Sequence, residues 1–316
     1  MTYPGYYVGC DVGKVEIVVY SSRDQTTTII ANDPACLARF ASSLDPDCLV
    51  ICEATGGYET ALLEALVAAQ RPVHRADARK VKAFIRSLGT LAKTDAIDAR
   101  ALARYGQERH DRLKCWVPGD TDQVRLHAPV MARRDIVADR TAWSNRQKAP
   151  GAKAAYAMIA PILKALDDQL AAINTAIATL VQSCKLAAKA NILQAIPGIG
   201  AVTAHSLVAL MPELGTLDRK QAASLAGLAP HPKQSGQSNA YRSVRGGRPI
   251  LRQALFMPVL SYAEGAAMCA TKHNPTLRTF YQRLINNGKK PIVALTATMR
   301  KLITIANAKI RDAQIN

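Results

Sequence analysis

Four acidic residues in the first third of the sequence have the placement that metal-dependent phosphoryl transfer requires. Asp11 and Glu53 each end a short apolar run that predicts a strand. Asp95 and Asp98 are three residues apart, so on a helix they share one face. Mg²⁺ prefers hard oxygen ligands, and two ions held by such carboxylates activate an attacking oxygen and stabilise the leaving one. We therefore predict that the four acids bind Mg²⁺ at one site.

Each acid also has an ordinary structural explanation when it is considered alone. Asp11 is typical of a turn between strands, Glu53 of a sheet edge, and Asp95 of a helix N-cap. The combination favours catalysis, because Asp-Val-Gly after one strand and a glutamate after another resemble the layout of ribonuclease H.

A second candidate lies in residues 230–249, which have the composition of a loop. Ser235 precedes Gly236 there, and a serine in such a segment could attack a phosphodiester. Basic residues crowd the segment and are candidates to bind nucleic acid and neutralise the transition state, namely Lys233, Arg242, Arg245, Arg248 and Arg252.

The chemistry of this loop leaves alternatives open. Ser238 and Ser243 compete with Ser235 in the same segment, and chemistry alone favours a phosphate-binding loop with incidental serines. There is no Ser-His-Asp order. His205 and His231 are expected at the surface or in packing rather than as bases.

Residues 197–200, with the sequence PGIG, fit the turn of a helix-hairpin-helix. Gly198 and Gly200 would let backbone N–H groups approach a phosphate, and the N-terminus of the following helix adds a partial positive charge. The alternative is an ordinary turn between helices. We favour contact with the DNA backbone, because the residues that follow are strongly basic.

The elements that must position the four acids form an α/β domain. Strand patterns alternate with helix patterns, which implies a sheet covered by helices, with a hairpin at Gly13 joining the first two strands. The predicted strands are 6–10, 15–20, 26–30, 48–52 and 72–76, and the predicted helices are 34–44, 58–69 and 78–88.

The rest of the chain predicts helices. Residues 116–120 (WVPGD) mark a break, and the segment up to residue 190 lacks strand signals and reads as long helices interrupted near residues 150–151, a spacer or a dimerising coiled coil. The helices expected beyond it are 201–211, 221–229, 250–263, one capped by Asn274, and a last one from Pro291. This organisation predicts domains at 1–115, 116–190 and 191–316.

The net charge of +17 is concentrated at one end of the chain. Residues 219–316 hold 16 Lys and Arg against 2 Asp and Glu, whereas residues 1–218 hold 25 against 22. Such one-sided charge predicts a polyanionic partner, with nucleic acid favoured over a membrane surface or a ribosomal role, and Lys289 and Lys290 belong to the candidate contacts.

Composition excludes several other classes of protein. The hydrophobic content of 49% argues against disorder, and no apolar run approaches the length of a membrane span. The N-terminus lacks a basic region followed by an apolar stretch, so we expect no signal peptide. The seven cysteines are scattered without zinc-ligand spacing. We expect reduced cysteines in a cytoplasmic, nucleoid-associated protein of bacterial type.

Several of these segments are recognisable as motifs. In chain order they are DVGK at 11–14, ICEATGGY at 51–58, KTDAIDA at 93–99, IPGIG at 196–200, LAGLAPHPKQSG at 225–236, LRQALFM at 251–257 and FYQRLINNGKK at 280–290. Together they resemble the Piv/MooV-like DEDD transposases, insertion-sequence family one hundred and ten, whose members are guided by a bridge RNA.

The resemblance implies more than spacing does. It implies a RuvC-like N-terminal domain with Asp11, Glu53, Asp95 and Asp98 as its acids, a coiled-coil linker, and Ser235 as the nucleophile of a C-terminal transposase domain. It also implies dimers paired into tetramers, with composite sites in which the acids of one subunit meet the serine of another. The element's non-coding bridge RNA would pair with donor and target DNA, and strand exchange would pass through a phosphoserine without ATP.

Three rival functions remain at this point. A RuvC-like junction nuclease using water needs the acids and not Ser235. An actin-like kinase also begins with a strand followed by Asp-x-Gly, but it leaves the basic C-terminal third unexplained. A non-catalytic RNA- or DNA-binding protein explains the charge and gives the acids no role.

Overall fold

A computed structural model of the protein describes residues 4–89, 94–231, 233–235, 238–240, 243–259 and 274–315. The side chains of residues 233–235, 238–240, 257–259 and 315 are not part of that description. The chain forms two compact units, Met1–Pro118 and Gly119–Asn316. The first is an α/β unit and the second is mainly helical, as the sequence predicts.

The first unit is built on a mixed sheet of five strands in the order β3-β2-β1-β4-β5. The first three strands along the chain pair antiparallel, whereas β4 and β5 run parallel to β1. The strands are β1 (Tyr6–Val12), β2 (Glu16–Ser21), β3 (Thr27–Ala31), β4 (Cys48–Glu53) and β5 (Val73–Ala76). This is a sheet consistent with a RuvC-like domain.

Helices cover both faces of this sheet because its central strands are apolar on both sides. Val8 and Cys10 of β1 pack in the cluster that contains α1 and α2, and Tyr7 packs in the cluster that contains α3 and α4. Asp33, Asp77 and Thr94 cap α1, α3 and α4. The helices are α1 (Pro34–Ser43), α2 (Thr60–Ala68), α3 (Ala78–Ser87) and α4 (Asp95–Arg109).

The second unit contains eight helices within the described residues. They are α5 (Thr121–Lys148), α6 (Tyr156–Gln182), α7 (Leu186–Gln194), α8 (Ala201–Leu210), α9 (Arg219–Leu225), α10 (Pro249–Val259), α11 (Pro275–Asn286) and α12 (Pro291–Ile315). The predicted helix 250–263 continues into residues that lie outside the description. Asn274 caps α11 as predicted, since its side chain accepts a hydrogen bond from the Leu277 amide at 3.2 Å.

Helices α5 and α6 pack along each other as an antiparallel pair. Arg133 donates to Asn174 across the pair at 2.6 Å, and Arg140 forms an ion pair with Asp167, so contacts that advance along one helix retreat along the other. Leu126 of α5 belongs to the apolar core that α7–α12 also build. The pair therefore shares its core with the rest of the second unit.

Part of the segment predicted as a loop forms strands instead. Strands β6 (Lys233–Ser235) and β7 (Ser238–Ala240) pair antiparallel, with Ser235 opposite Ser238. The loop composition of residues 230–249 hides them, because Gly and Asn, and to a lesser degree Lys and Ala, are depleted in strands and a three-residue strand carries little periodic signal.

The seven cysteines are scattered along the chain. The six in the described residues are free thiols, and Cys269 lies outside them. Burial raises the pKa of Cys48 to about 11 and that of Cys52 to about 12. These thiols therefore stay protonated and serve the core.

Among the described residues no single helix has the length and apolarity to cross a membrane. In that part of the chain, the helix pair Ala152–Gln182 and Leu186–Gln194 meets the length and apolarity criteria when its two members are taken together, and the pair is bent by 115°.

Candidate active site

Parallel pairing of two strands brings the first two acids together. The ladder between β1 and β4 ends at the pair Cys10 and Cys52, and Asp11 and Glu53 are the next residues of their strands. The carboxyl ends of neighbouring parallel strands lie at the same edge of a sheet, so the two carboxylates are neighbours there.

Strand alternation also decides which face of the sheet these acids occupy. Side chains two residues apart lie on the same face. Tyr7 and Ile51 pack in the cluster with α3 and α4. Asp11 is four residues after Tyr7 and Glu53 two after Ile51, so both carboxylates belong to the face that α4 covers.

Helix α4 brings the other two acids to the same edge. The Thr94 side chain accepts a hydrogen bond from the Ile97 amide at 3.3 Å, and the Thr94 carbonyl accepts one from the Asp98 amide at 2.9 Å. Thr94, and not Asp95, is therefore the N-cap, and the alternative role considered for Asp95 is not the one it has. Asp95 and Asp98 occupy the first turn, where the helix dipole stabilises carboxylates.

A glycine in β1 permits this approach. A Cβ atom on Gly9 would overlap the carbonyl oxygen of Ala99 in α4 and lie 2.6 Å from the amide nitrogen of Ala103. Backbone therefore packs directly on backbone here, which places the first turn of α4 over the end of β1.

The four predicted acids line one cavity of about 280 Å³, together with Lys82 and Arg86. A neighbouring cavity of about 290 Å³ is bordered by the β1–β2 turn and shares Asp11 and Asp95 with the first. The turn is closed by a hydrogen bond from the Gly13 amide to the Glu16 carbonyl at 2.9 Å, so the predicted hairpin is confirmed.

The chemistry of this donor set suits a hard divalent cation, because it offers carboxylate oxygens and no thiol or imidazole. Asp95 is exposed and the other three acids are half-buried, so solvent ions reach them. In the described part of the chain no three His, Cys, Asp or Glu side chains are already arranged around one metal position. Metal binding here would therefore draw side chains together that already face one cavity.

Lys82 and Arg86 are site residues that the sequence analysis missed. Both are exposed on α3, and within the described residues neither forms an ion pair. Their spacing of four residues, which places them on one helical face, was the available signal. Two cations beside four carboxylates can bind the non-bridging oxygens of a phosphate that enters the cavity.

The sequence analysis also missed Glu59, whose carboxylate forms hydrogen bonds with the chain that follows Glu53. Its carboxylate is 1% exposed. It accepts hydrogen bonds from the amides of Thr55 and Gly57, at 3.2 and 2.9 Å, and from the Nε of Arg75 at 2.8 Å. Burial raises its pKa, but these amide and guanidinium hydrogen bonds outweigh burial and leave the pKa below its usual value.

The predicted nucleophile lies in the second unit. Ser235 is the last residue of β6, and Gly236 after it lies outside the described residues. Ser243, one competitor, accepts a hydrogen bond from Nε of Arg245 at 3.0 Å. His231 is exposed, with Nε2 3.2 Å from the Arg245 carbonyl, whereas His205 is buried and burial lowers its pKa.

Two of the predicted nucleic-acid contacts near the serine have partners within the protein. Arg248 donates to the Glu213 carboxylate through both terminal nitrogens, at 2.9 and 2.7 Å, and Arg252 donates to the Gly227 carbonyl at 3.1 Å. Arg245 is exposed. The side chain of Lys233 and all of Arg242 lie outside the described residues.

The remaining predicted contacts lie at helix ends. Gly198 has a φ of +100°, which favours glycine, and Gly200 is the N-cap of α8 and exposed. Lys289 and Lys290 are exposed between α11 and α12. These assignments stay predictions, as do those of the serine segment.

Comparison with known proteins agrees with this geometry. The DEDD transposase family of IS110 matches residues 8–149, and the transposase family IS116/IS110/IS902 matches residues 190–282. A pilin gene-inverting protein of Moraxella bovis is 33% identical over 83% of this chain and 80% of its own length. The insertion element IS900 uncharacterized 42 kDa protein of Mycobacterium paratuberculosis is 23% identical over 97% of this chain and 96% of its own.

Two separate transposase matches and this extended similarity to a gene-inverting protein agree with an acid-lined cavity in an α/β unit, and the chain belongs to the IS110 family of DEDD transposases.

Proposed function

We propose that this transposase joins insertion-element DNA to target DNA through a phosphoserine on Ser235, with its four acids binding Mg²⁺. The observation that carries the proposal is the single cavity lined by Asp11, Glu53, Asp95 and Asp98. Bound there, Mg²⁺ would polarise the scissile phosphate and lower the pKa of the serine hydroxyl.

The chain's own residues perform the transfer. The Ser235 hydroxyl oxygen attacks phosphorus, and the new P–O bond forms as the bond to the leaving sugar oxygen breaks. The serine proton passes to solvent, and the leaving oxygen takes up a proton to become a free hydroxyl. Lys82 and Arg86 bind the non-bridging oxygens, whose charge grows in the transition state.

The second step reverses the first on a different strand. A hydroxyl of the exchanged strand attacks the phosphoserine, a new phosphodiester forms, and the serine oxygen leaves and is reprotonated. The number of phosphodiester bonds is conserved, so no ATP is needed. Repeated on the second strand, the exchange integrates or excises an element, or inverts a segment as the name of the Moraxella relative states.

Further parts of the proposal rest on family resemblance. A bridge RNA encoded by the element pairs with donor and target DNA, and the protein works as dimers paired into tetramers. The PGIG turn acts as a helix-hairpin-helix on the DNA backbone, and the α5–α6 pair acts as a coiled-coil linker.

Detection of a covalent adduct tests the mechanism. Wild-type protein is incubated with labelled substrate DNA, the RNA encoded beside the gene and Mg²⁺, and is then denatured. We expect protein-linked DNA, with none from Ser235→Ala or Asp11→Ala. Ser235→Ala should still bind DNA, and Asp11→Ala should also weaken Mn²⁺ binding in a calorimetric titration, which is a readout independent of turnover.

Normal cleavage by Ser235→Ala would show that water is the nucleophile, as in a RuvC-like nuclease. An adduct lost in Ser238→Ala and kept in Ser235→Ala would assign the nucleophile to the other serine. DNA binding without cleavage by wild-type protein would favour a non-catalytic role.

A further inference from the structure

Two adjoining cavities of the second unit are lined by basic side chains. The first has a volume of about 550 Å³ and lies between α9 and the last two helices. The second has a volume of about 390 Å³ and shares Phe280 and Lys301 with the first. We call the cations of the two linings the basic groove: Arg219, Lys220, Arg283, Arg300 and Lys301.

The charges of the basic groove are not balanced by the described residues around it. No acidic residue is among the described residues that line either cavity. In the described part of the chain none of the five cations forms an ion pair. The acid nearest along the sequence, Asp218, caps α9, where its side chain accepts hydrogen bonds from the Lys220 and Gln221 amides at 2.6 and 2.8 Å. Unbalanced like charge in a concave surface attracts a polyanion.

Phe280 supports the cations where the two cavities meet. The Nζ of Lys301 lies 4.6 Å from the centre of the Phe280 ring, and the Cζ of Arg283 lies 5.3 Å from it. The ring is half-buried, and these cations cover it. Single-stranded nucleic acids bind by stacking their bases on free aromatic rings. The Phe280 ring is instead in contact with the two cations.

We propose that the basic groove binds the phosphodiester backbone of duplex DNA. None of its five cations is among the contacts predicted from the sequence. The inference rests on DNA being the substrate of this transposase family and not on the serine chemistry, because binding is measured without cleavage.

Salt-dependent binding provides the test. The affinity of the full chain for a fluorescent DNA duplex of arbitrary sequence is measured by anisotropy, in EDTA, across a range of salt concentrations. One variant carries Arg219→Gln with Lys220→Gln, and because both side chains are exposed we expect folding to be preserved. A second carries Arg300→Gln with Lys301→Gln, whose side chains are half-buried.

The matched control carries Lys185→Gln with Lys309→Gln, which removes the same charge from exposed sites outside the groove. Each lost phosphate contact reduces the slope of log K against log salt by about 0.9. We expect a reduction of about two in each groove variant, with a loss of roughly tenfold or more in affinity at moderate salt, and little change in the control.

A wild-type slope in the Arg219 and Lys220 variant would overturn the inference, as would an equal loss in the control. A loss confined to structured RNA, with duplex DNA bound normally, would assign the groove to RNA and also overturn it. Loss of duplex binding in the groove variants would support the inference even if Ser235→Ala cleaved DNA, so the two proposals fail separately.

Discussion

At the scale of single residues, the buried carboxylate of Glu59 holds the chain that follows Glu53 in the candidate active site. It joins the loop after Glu53 to Arg75 of β5. Glu59→Gln removes the negative charge and turns an NH₂ group toward donors, and we expect a loss of about 2 kcal/mol in the free energy of unfolding. Urea denaturation measures it, with Glu64→Gln, an exposed glutamate of α2, as the control.

The sign of the pH dependence follows from the lowered pKa of Glu59. Burial raises that pKa, but the amide and Arg75 hydrogen bonds lower it further, so the folded protein binds this proton less readily than the unfolded chain. The stabilisation is complete above the unfolded pKa of about 4.3 and is lost as pH falls through the folded value. The difference between wild type and Glu59→Gln should therefore shrink in acid. Equal stability of Glu59→Gln and Glu64→Gln at neutral pH would contradict this role.

The convergence of the four acids on one cavity could be predicted from the sequence because each is marked by a local pattern, a strand end or a helical spacing of three. Glu59 could not, because its role depends on which strand lies beside which, and the helical spacing of Lys82 and Arg86 does not say which cavity they line. Arg75 reaches Glu59 only because β5 pairs with β4, and nothing in the separation of 16 residues encodes that pairing.

At the scale of elements, the close contact between β1 and α4 places Asp95 and Asp98 beside the acids of the sheet. Gly9→Ala would drive a methyl group into the Ala99 carbonyl, and backbone cannot yield as a flexible side chain does. Overpacking of this kind costs about 1–3 kcal/mol. We expect that loss in urea denaturation, with weaker Mn²⁺ binding in calorimetry because the first turn of α4 carries Asp95 and Asp98.

Gly5→Ala is the matched control for this substitution. A methyl group at Gly5 meets only the carboxylate end of Asp47, an exposed side chain that can turn away. Wild-type metal affinity in Gly9→Ala would show that the close approach does not position the acids.

The elements of the first unit were predicted well because amphipathic periods and caps are local. The predicted bounds of its five strands and of α1, α2 and α3 differ from the observed ones by a residue or two, whereas α4 was expected without bounds. The β6–β7 pair was missed because its residues favour turns and its pairing is not marked by apolar alternation.

At the scale of the whole molecule, the net charge predicted a polyanion but not the surface that binds it. The basic contacts predicted from the sequence lie around Ser235 and at Lys289 and Lys290, and one of them, Arg248, pairs with Glu213 instead. The basic groove draws on α9, α11 and α12, and α9 ends about 50 residues before α11 begins, so the groove forms only when these helices pack on the shared apolar core.

The last prediction concerns the assembly that brings acids and serine together. The acids belong to the first compact unit and Ser235 to the second. If the site combines the acids of one subunit with the serine of another, Asp11→Ala and Ser235→Ala proteins should complement each other when mixed. Adduct should form at a fraction of the wild-type yield, and tags of different size should place the DNA on the Asp11→Ala subunit, which retains Ser235.

A mixture of Asp11→Ala and Glu53→Ala is the control, since both lack an acid of the same cavity and every acid set stays incomplete. A Ser235→Ala and Asp11→Ala mixture that forms no adduct, although co-purification of the two tags shows mixed assemblies, would mean that each subunit supplies its own acids to its own serine.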